Sequence, residues 1–264
     1  AIIHIIIKRT PMPQKQHSTG LDVSGPDPLY KQVEQRILQC LAEGEWKPGE
    51  QLPTENQLAE RFGVAVFTIR AGIGELVASN ILVRKQGKGT FVARHSKLRQ
   101  RYQFSHIHDK NGRQIFPGRE LLAFVKRIAI PEESARLALP PGGKATVFRL
   151  SMISIDEEQT VATLDITLPA RMFSKLTASA VRNAQENLYA AYQDECGVNV
   201  IRIEEHIYAA LATPADAKAL KIRNNSPVLR VERTAYTYRN VPVEFRTRTF
   251  DATKYHYRTI EGSI

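Results

Sequence analysis

Residues 48–70 read PGEQLPTENQLAERFGVAVFTIR, and this stretch places two helix signals on either side of a glycine. Thr54 and Gln57 have the spacing of a capping box, in which each side chain satisfies a backbone N–H of the other, so a helix is expected to begin at Thr54. Gly63 is typical of a helix end. Beyond it, apolar residues again recur at helical spacing. Two helices joined by a short glycine turn predict a helix-turn-helix.

The sequence on both sides of this stretch completes a winged helix. Before it, a run that starts with Asp-Pro has an apolar residue at every fourth position from Leu29 to Leu41, which predicts a first helix. After it, two β-rich runs flank QGKG at 86–89, whose glycines suit a tight hairpin. The nucleotide-binding pattern G-x-x-x-x-G-K-[ST] is absent. We therefore predict a winged helix-turn-helix DNA-binding domain over residues 27–93.

Positive charge is concentrated in the second half of this domain and just beyond it. The chain of 264 residues has 37 Lys and Arg against 27 Asp and Glu, a formal net charge of +10. Residues 61–101 hold nine basic residues and one acidic residue, Glu75. Such a concentration is what a phosphate-binding face requires, and a merely solvated basic surface is the alternative. The apolar content of 42% excludes a disordered or fibrous protein.

The carboxyl-terminal half alternates strand-like and helix-like segments. β-Favouring runs predict strands at 121–129, 146–155, 161–168, 200–211, 228–238 and 241–250. Helical spacing predicts helices at 131–139, 186–196 and 214–221. The first and third of these helices, with the strands that follow them, match weakly at offsets of 83 and 81 residues, so two pseudo-symmetric halves are expected. We predict an α+β domain over residues 111–258, joined to the first domain by a linker at 94–110.

Several motifs fall in order along the chain. In the amino-terminal half they are PLYKQ at 28–32, PGEQLPTE at 48–55, RFGV at 61–64, TIR at 68–70 and QGKGTFV at 86–92. With them the segment resembles the GntR family of bacterial transcriptional regulators. Through its Val-x-Arg strand, Asn187-Leu188-Tyr189 and Pro242-Val243-Glu244, the other half resembles the UTRA effector domain of that family's HutC-type branch. The resemblance implies a mainly antiparallel, chorismate-lyase-like sheet domain that binds a small molecule and dimerises.

The resemblance also implies which residues contact DNA. They lie at the start of the second helix, at the start of the recognition helix and at the wing tip: Thr54, Asn56, Phe67, Thr68, Arg70, Gln86, Gly87 and Lys88. Arg70 can fork to a guanine edge or to a phosphate. The family usually has Val-Ser-Arg where this chain has Val64-Ala65-Val66, so a serine cap and a guanine-reading arginine are missing. The usual operator sequence is therefore not expected.

An effector site is predicted from strand register. If Arg239-Asn240 form a two-residue turn, residues whose numbers sum to 479 face each other, which places Arg233 opposite Arg246. Glu244 is then expected to pair with Arg233, and this leaves Arg246 and Arg248 without acidic partners.

Unpaired arginines on one sheet face favour an anionic ligand, a carboxylate or a phosphate, and plain solvent exposure is the alternative. The predicted effector-binding residues are Arg119, from a loop after Pro117, together with Glu244, Arg246 and Arg248. Sugar-phosphate-binding members of the branch usually have two arginines and a glutamate where this chain has Met152, Ser154 and Leu164. A sugar phosphate is therefore disfavoured.

These observations together predict a cytoplasmic transcriptional regulator. It is expected to be a ligand-responsive, sequence-specific repressor that binds a double-stranded DNA operator as a homodimer and is released by a small anionic metabolite. The alternatives are a lyase-type enzyme on the same sheet fold and a non-specific DNA-binding protein. No Ser/His/Asp, Cys/His or paired-carboxylate arrangement is legible, so no enzyme and no catalytic residues are expected.

Cofactors, metals and membranes are not expected partners either. His106 and His108 are too few for a metal site, and Cys40 and Cys196 cannot build a disulfide framework. No apolar run approaches the ~18 residues of a membrane span. Residues 1–26 are predicted to be a tag or a disordered leader.

Overall fold

The computed structural model describes residues 26–94, 106–140, 143–184 and 187–259. Residues 1–25 of the predicted leader and 95–105 of the predicted linker lie outside these ranges. The amino-terminal domain consists of α1 (Leu29–Ala42), α2 (Glu55–Phe62), α3 (Val66–Ala78), β1 (Leu82–Lys85) and β2 (Gly89–Val92). Three helices followed by a hairpin form the predicted winged helix-turn-helix.

Local signals set the ends of α2 and α3. The Thr54 hydroxyl accepts the Gln57 backbone N–H at 3.3 Å, and the Gln57 side chain accepts the Thr54 N–H at 2.9 Å, which is the predicted capping box. Gly63 ends α2 in the left-handed region, with φ of 69°. Helix α3 begins without a side-chain cap, because Ala65 has no oxygen that could accept a backbone N–H.

Helices α1 and α3 approach closely at Gly72. A Cβ atom there would lie 2.7 Å from Val33 Cγ1 and 2.9 Å from the carbonyl oxygen of Tyr30, so only glycine fits without a shift. All three helices and the hairpin bury apolar side chains in one cluster, the amino-terminal core. Its members include Val33, Ile37, Leu41, Leu58, Phe62, Ile69, Ile73, Leu76, Leu82 and Val92.

The carboxyl-terminal domain is built mainly of strands. They are β3 (Ile107–Asp109), β4 (Gly118–Ile128), β5 (Thr146–Asp156), β6 (Gln159–Pro169), β7 (Arg202–Leu211), β8 (Pro227–Tyr236), β9 (Pro242–Asp251) and β10 (Tyr255–Tyr257). Its helices are α4 (Pro131–Arg136), α5 (Ala178–Asn183), α6 (Leu188–Cys196) and α7 (Pro214–Leu220). Strands β4 to β9 form one antiparallel sheet in the order β4-β5-β6-β9-β8-β7.

The predicted pseudo-symmetry is present in this sheet. Strand β4, helix α4 and the hairpin β5–β6 follow the same plan as strand β7, helix α7 and the hairpin β8–β9. The two halves meet where β6 pairs with β9. The turn between β8 and β9 has positive φ at Arg239 and Asn240, as the predicted two-residue turn requires, and Arg233 pairs with Arg246 in the predicted register.

The sheet has two chemically different faces, because alternate residues of a strand point to opposite sides. The inner face carries Leu150, Leu164 and Ile166 and packs against α6 in the larger apolar core. The outer face carries Arg149 and Asp165, and α4 and α7 lie against it.

Three short elements were not predicted: α5, β3 and β10. Strands β3 and β10 pair with each other as a two-stranded ribbon, with His108 opposite His256. Residues 107–109 therefore form a strand at the end of the predicted linker. Segments of three to six residues are too short to show a period, and this ribbon pairs positions far apart in the chain. Within the ranges that the structure describes, no helix is both long and apolar enough to cross a bilayer.

Candidate functional site

The first candidate site is a groove of about 510 Å³ in the amino-terminal domain. Three separate elements form it: the start of α2, the middle of α3 and the wing. Five of the predicted DNA-contact residues line the groove: Thr54, Asn56, Arg70, Gln86 and Gly87. Capping of α2, the glycine turn and the hairpin thus bring residues from three sequence motifs to one concave surface.

The other three predicted contact residues lie outside the groove lining. Phe67 is in the first turn of α3 and is 77% exposed. Thr68 beside it is half-buried, and Lys88 is exposed at the wing tip. These residues therefore extend the surface beyond the groove without lining it.

Sequence reasoning missed an acidic residue at the centre of this groove. Glu55 accepts Arg70 at 2.9 Å and lies 3.5 Å from Arg84 on the wing strand. One carboxylate thus holds two guanidinium groups toward the groove, although their side chains remain 60% and 47% exposed. The signal was available, since Glu55 belongs to the PGEQLPTE motif, but its partners depend on how α3 and the wing pack.

A second contact holds the wing against the rest of the domain. The Gln51 side chain donates to the Lys88 carbonyl at 2.8 Å. Gly89 has φ of 104°, and a Cβ atom there would lie 2.7 Å from Gln51 Nε2, so the wing needs glycine at this position.

The second candidate site is a cluster of arginines on the inner face of the sheet. Arg246 and Arg248 come from β9, Arg233 from β8 and Arg119 from β4. The expected Arg233–Glu244 pair is wrong. Arg233 instead binds Glu205, its register partner on β7, at 2.7 Å.

Glu244 pairs with Arg246 on its own strand, at 2.9 Å, so the expectation that Arg246 has no acidic partner is also wrong. The hydroxyls of Tyr189 and Tyr192, one turn apart on α6, donate to the two Glu244 oxygens at 3.2 and 2.7 Å. The carboxylate is fully buried, and it is satisfied from α6 and from β9 without Arg233. The register predicted from the sequence placed Arg246 and Glu244 on the correct face of the sheet, but it did not predict the residues that bind them.

Arg119 also differs from its prediction, because it lies in strand β4 and not in a loop. It is the register partner of Ser154 on β5. Strand β4 begins at Gly118, earlier than expected, because it continues to pair with β5 to its end. Arg119 is therefore fixed on the same rigid sheet as Arg248.

The inner face carries more positive than negative charge. Among the described residues of this cluster there are four guanidinium groups, from Arg119, Arg233, Arg246 and Arg248, and two carboxylates, from Glu205 and Glu244. Burial, together with Arg246, Arg233 and Arg119, holds the pKa of Arg248 well below its usual range. Among the described residues, Arg248 has no ion-pair partner, and its Nε atom is buried without a hydrogen bond.

The other arginines of the cluster respond to the same surroundings. Burial and then Arg246 lower the pKa of Arg119 to about 10. For Arg246, burial acts in the same direction, but Glu244 and the two tyrosines outweigh it, so its pKa is raised. The ribbon β3–β10 covers this cluster: the Tyr257 hydroxyl donates to Glu205, and burial lowers the pKa of His106.

A chain of hydrogen bonds leads from helix α6 to the amino-terminal domain. Gln193, on the same helix as the two tyrosines, donates to Asn199 at 2.9 Å, and Asn199 donates to the Tyr238 hydroxyl at 2.6 Å. Tyr238 lies in the β8–β9 turn and is part of the amino-terminal core, next to α1. All three side chains are buried. The turn of the sheet domain thus contacts the DNA-binding domain directly.

Comparison with known proteins matches both halves of the chain. The family model for the UTRA domain matches residues 112–256, and the model for bacterial regulatory proteins of the gntR family matches residues 29–92. The transcriptional repressor NagR of Bacillus subtilis is 25% identical over 240 residues, covering 90% of this chain and 96% of NagR. The mannosyl-D-glycerate transport/metabolism system repressor MngR of Escherichia coli is 26% identical over 237 residues, covering 89% and 97%.

A solved structure agrees with the fold of the sheet domain. The ligand-binding domain of a GntR-family regulator from Bordetella bronchiseptica superposes with a TM-score of 0.56 at 26% identity. The match covers 61% of this chain and 99% of that domain.

Proposed function

Since this chain belongs to the gntR family of bacterial regulatory proteins and carries its UTRA domain, we propose that it is a ligand-responsive repressor that binds a specific DNA operator. One observation carries the proposal: residues of α2, α3 and the wing converge on one groove, while a separate domain holds a cluster of buried arginines. The named repressors among its relatives support the same function. We place the protein in the cytoplasm and assign it no catalytic activity.

Binding to DNA follows from the two kinds of contact in the groove. Arg70 offers a planar fork that fits a guanine edge, whereas Lys88 at the wing tip offers a point charge near phosphate. Glu55 binds Arg70 in the free protein, and DNA competes with this half-buried carboxylate for the guanidinium group. Base contacts specify sequence, and phosphate contacts add affinity for any duplex.

We assign two copies of the chain to one operator, because a single winged helix reads few base pairs and two-fold symmetry supplies the second half-site. The sheet domain is the proposed dimer interface. Its edge strand β4 supports this assignment, since it exposes Leu122, Val125 and Ile128 by more than half.

The proposed effector is a small anion, a carboxylate or a phosphate, bound at the inner face near Arg119, Arg246 and Arg248. The buried Arg248, which has no ion-pair partner among the described residues, supports an anionic ligand at this place. Arg119 and Arg248 are register partners of Ser154 and Leu164, two of the positions at which sugar-phosphate-binding relatives are expected to carry charge. Arg119 thus places a positive charge one strand away from the Ser154 position, and Arg248 places a positive charge beside the position where those relatives have a glutamate, which favours a different anion.

Regulation requires the effector to bind the DNA-incompetent arrangement more tightly than the other. An anion that competes with Glu244 for Arg246 weakens the hold of Arg246 on the carboxylate to which Tyr189 and Tyr192 on α6 donate. Helix α6 connects through Gln193 and Asn199 to the turn that contacts α1. This path gives the ligand a physical means of moving the winged helix.

Binding of labelled duplexes by the full chain at physiological salt tests the DNA part of the proposal. Arg70→Ala is expected to remove the preference for a duplex from the protein's own promoter region over a random duplex, a loss of about 1–3 kcal/mol. Lys88→Ala is expected to weaken both duplexes equally. Arg149→Ala, on the outer face of the sheet, is the matched control and keeps both affinities. Equal losses on the two duplexes for Arg70→Ala would contradict its role in reading sequence.

A further inference from the structure

The first turn of the recognition helix presents an exposed aromatic side chain. Phe67 is the second residue of α3 and is 77% exposed, the highest value among the exposed large apolar residues that the structure describes. Its neighbour Val66 packs against the amino-terminal core instead. The helix therefore turns one apolar residue inward and leaves the next one in water.

The chemistry of this first turn differs from that of a turn that reads guanine through an arginine. Val66 and Phe67 have no side-chain hydrogen-bond donor, and Thr68 offers only a half-buried hydroxyl. The first positive charge along α3 is Arg70, in the next turn, which Glu55 binds. In the major groove, the apolar feature that distinguishes one base pair from the others is the 5-methyl group of thymine. A phenyl ring can contact that methyl group and cannot recognise guanine by hydrogen bonding.

We propose that Phe67 is a specificity-determining residue that selects thymine through its 5-methyl group. The inference rests on the proposed DNA-binding function and adds the base that the first turn of α3 reads. The operator half-site then carries a T·A pair facing this turn. Removing water from one methyl group is worth ~0.8 kcal/mol, which corresponds to roughly a four-fold change in affinity.

Deoxyuridine provides a direct test, because it differs from thymidine only by the missing methyl group. The operator is first selected from random duplexes with the full chain, and each thymine is then replaced by deoxyuridine in turn. We expect one thymine in each half-site at which deoxyuridine weakens binding about four-fold. Phe67→Ala is expected to bind duplexes with thymidine or deoxyuridine at that position equally well. At every other thymine, the variant is expected to behave like wild type.

Two controls separate this contact from other effects. Val241→Ala removes an apolar side chain, 41% exposed, in the β8–β9 turn and is expected to keep the wild-type response to deoxyuridine. Thermal unfolding checks that Phe67→Ala is folded, which its exposure leads us to expect.

The outcomes are distinct. If no operator is selected, the proposed function fails. If an operator is selected but wild type responds to deoxyuridine nowhere, the assignment to Phe67 is overturned. The assignment is also overturned if Phe67→Ala keeps the full wild-type response to deoxyuridine, or if this substitution weakens binding to operator and random duplexes by the same factor.

Discussion

Both faces of the six-stranded sheet carry arginines, but the arginines of the two faces differ in how many acidic partners they have. On the outer face each arginine that lines the groove of about 600 Å³ has its own carboxylate: Arg127–Glu133, Arg149–Asp165 and Arg230–Asp216. Among the described residues of the inner face, four arginines lie with two carboxylates, and the two ion pairs there are Arg233–Glu205 and Arg246–Glu244. The difference shows that arginine content alone does not mark a ligand site. The ratio of buried cations to buried anions is the informative property, because an uncompensated buried charge is costly.

The helices that cover each face account for the difference. On the outer face, α4 and α7 each contribute an acid at their third residue, Glu133 and Asp216, in equivalent positions of the two pseudo-symmetric halves. On the inner face, α6 contributes the hydroxyls of Tyr189 and Tyr192, which bind a carboxylate and bring no negative charge. The helices thus bring acids to two of the three arginines of the outer groove, and among the described residues α6 brings no acid to the arginines of the inner face.

The largest expected loss of stability is found by replacing one acid on each face and comparing the two variants. Glu244→Ala leaves the fully buried Arg246 without its partner, and breaking a buried pair in this way costs about 3–5 kcal/mol. Asp165→Ala breaks an ion pair whose side chains are about half exposed, and such pairs are worth about 0–1 kcal/mol. Urea unfolding of the two variants measures both losses. Similar losses for the two variants would show that the faces do not differ as described.

Replacing one arginine on each face is expected to change the stability of the fold in opposite directions. Arg248→Met removes a buried guanidinium group that faces three other arginines, so we expect the ligand-free protein to become more stable. Replacing buried ion pairs by apolar residues stabilises proteins by up to about 1–4 kcal/mol, which sets the scale. Arg149→Met on the outer face breaks a pair with Asp165 and is expected to lower stability slightly. Denaturant midpoints of the two variants and of wild type in chloride buffer show whether each substitution raises or lowers stability. A loss of stability in Arg248→Met would mean that this arginine stabilises the empty fold.

How far the sequence predicted these structures depended on the range of the interactions. The ends of α2 were predicted because the capping box of Thr54 and Gln57 and the left-handed Gly63 are local. The pairing of β8 with β9 was also predicted, because a two-residue turn fixes the register of its own hairpin.

Partners supplied by a distant strand were not predicted. Glu205 lies on β7, and only the pairing of β7 with β8 brings it to Arg233. Glu55 in the DNA groove is a similar case, because its contacts with Arg70 and Arg84 require α3 and the wing to be in place. In both sites the arginines could be identified from the sequence. Their acidic partners could not, because those contacts depend on tertiary structure.

The smallest expected effect concerns a histidine at the edge of the inner face. His106 lies close to Glu205, Arg233 and His108, and its ring is 5.2 Å from that of Tyr257. Burial lowers its pKa, and Arg233 and His108 act in the same direction, whereas Glu205 opposes them.

Because the folded-state pKa of His106 lies below the unfolded value of 6.5, the unfolded chain binds more protons in the interval between the two values. Stability therefore rises with pH through this interval, is complete above 6.5 and is lost as the pH falls below it. Protonation would add a further positive charge to a face that already carries a surplus, so His106→Asn is expected to lose less stability than wild type between pH 7.5 and pH 5.5. If His106→Asn and wild type lost equal stability in urea unfolding at the two pH values, the environment of the inner face would not disfavour an added proton at this position.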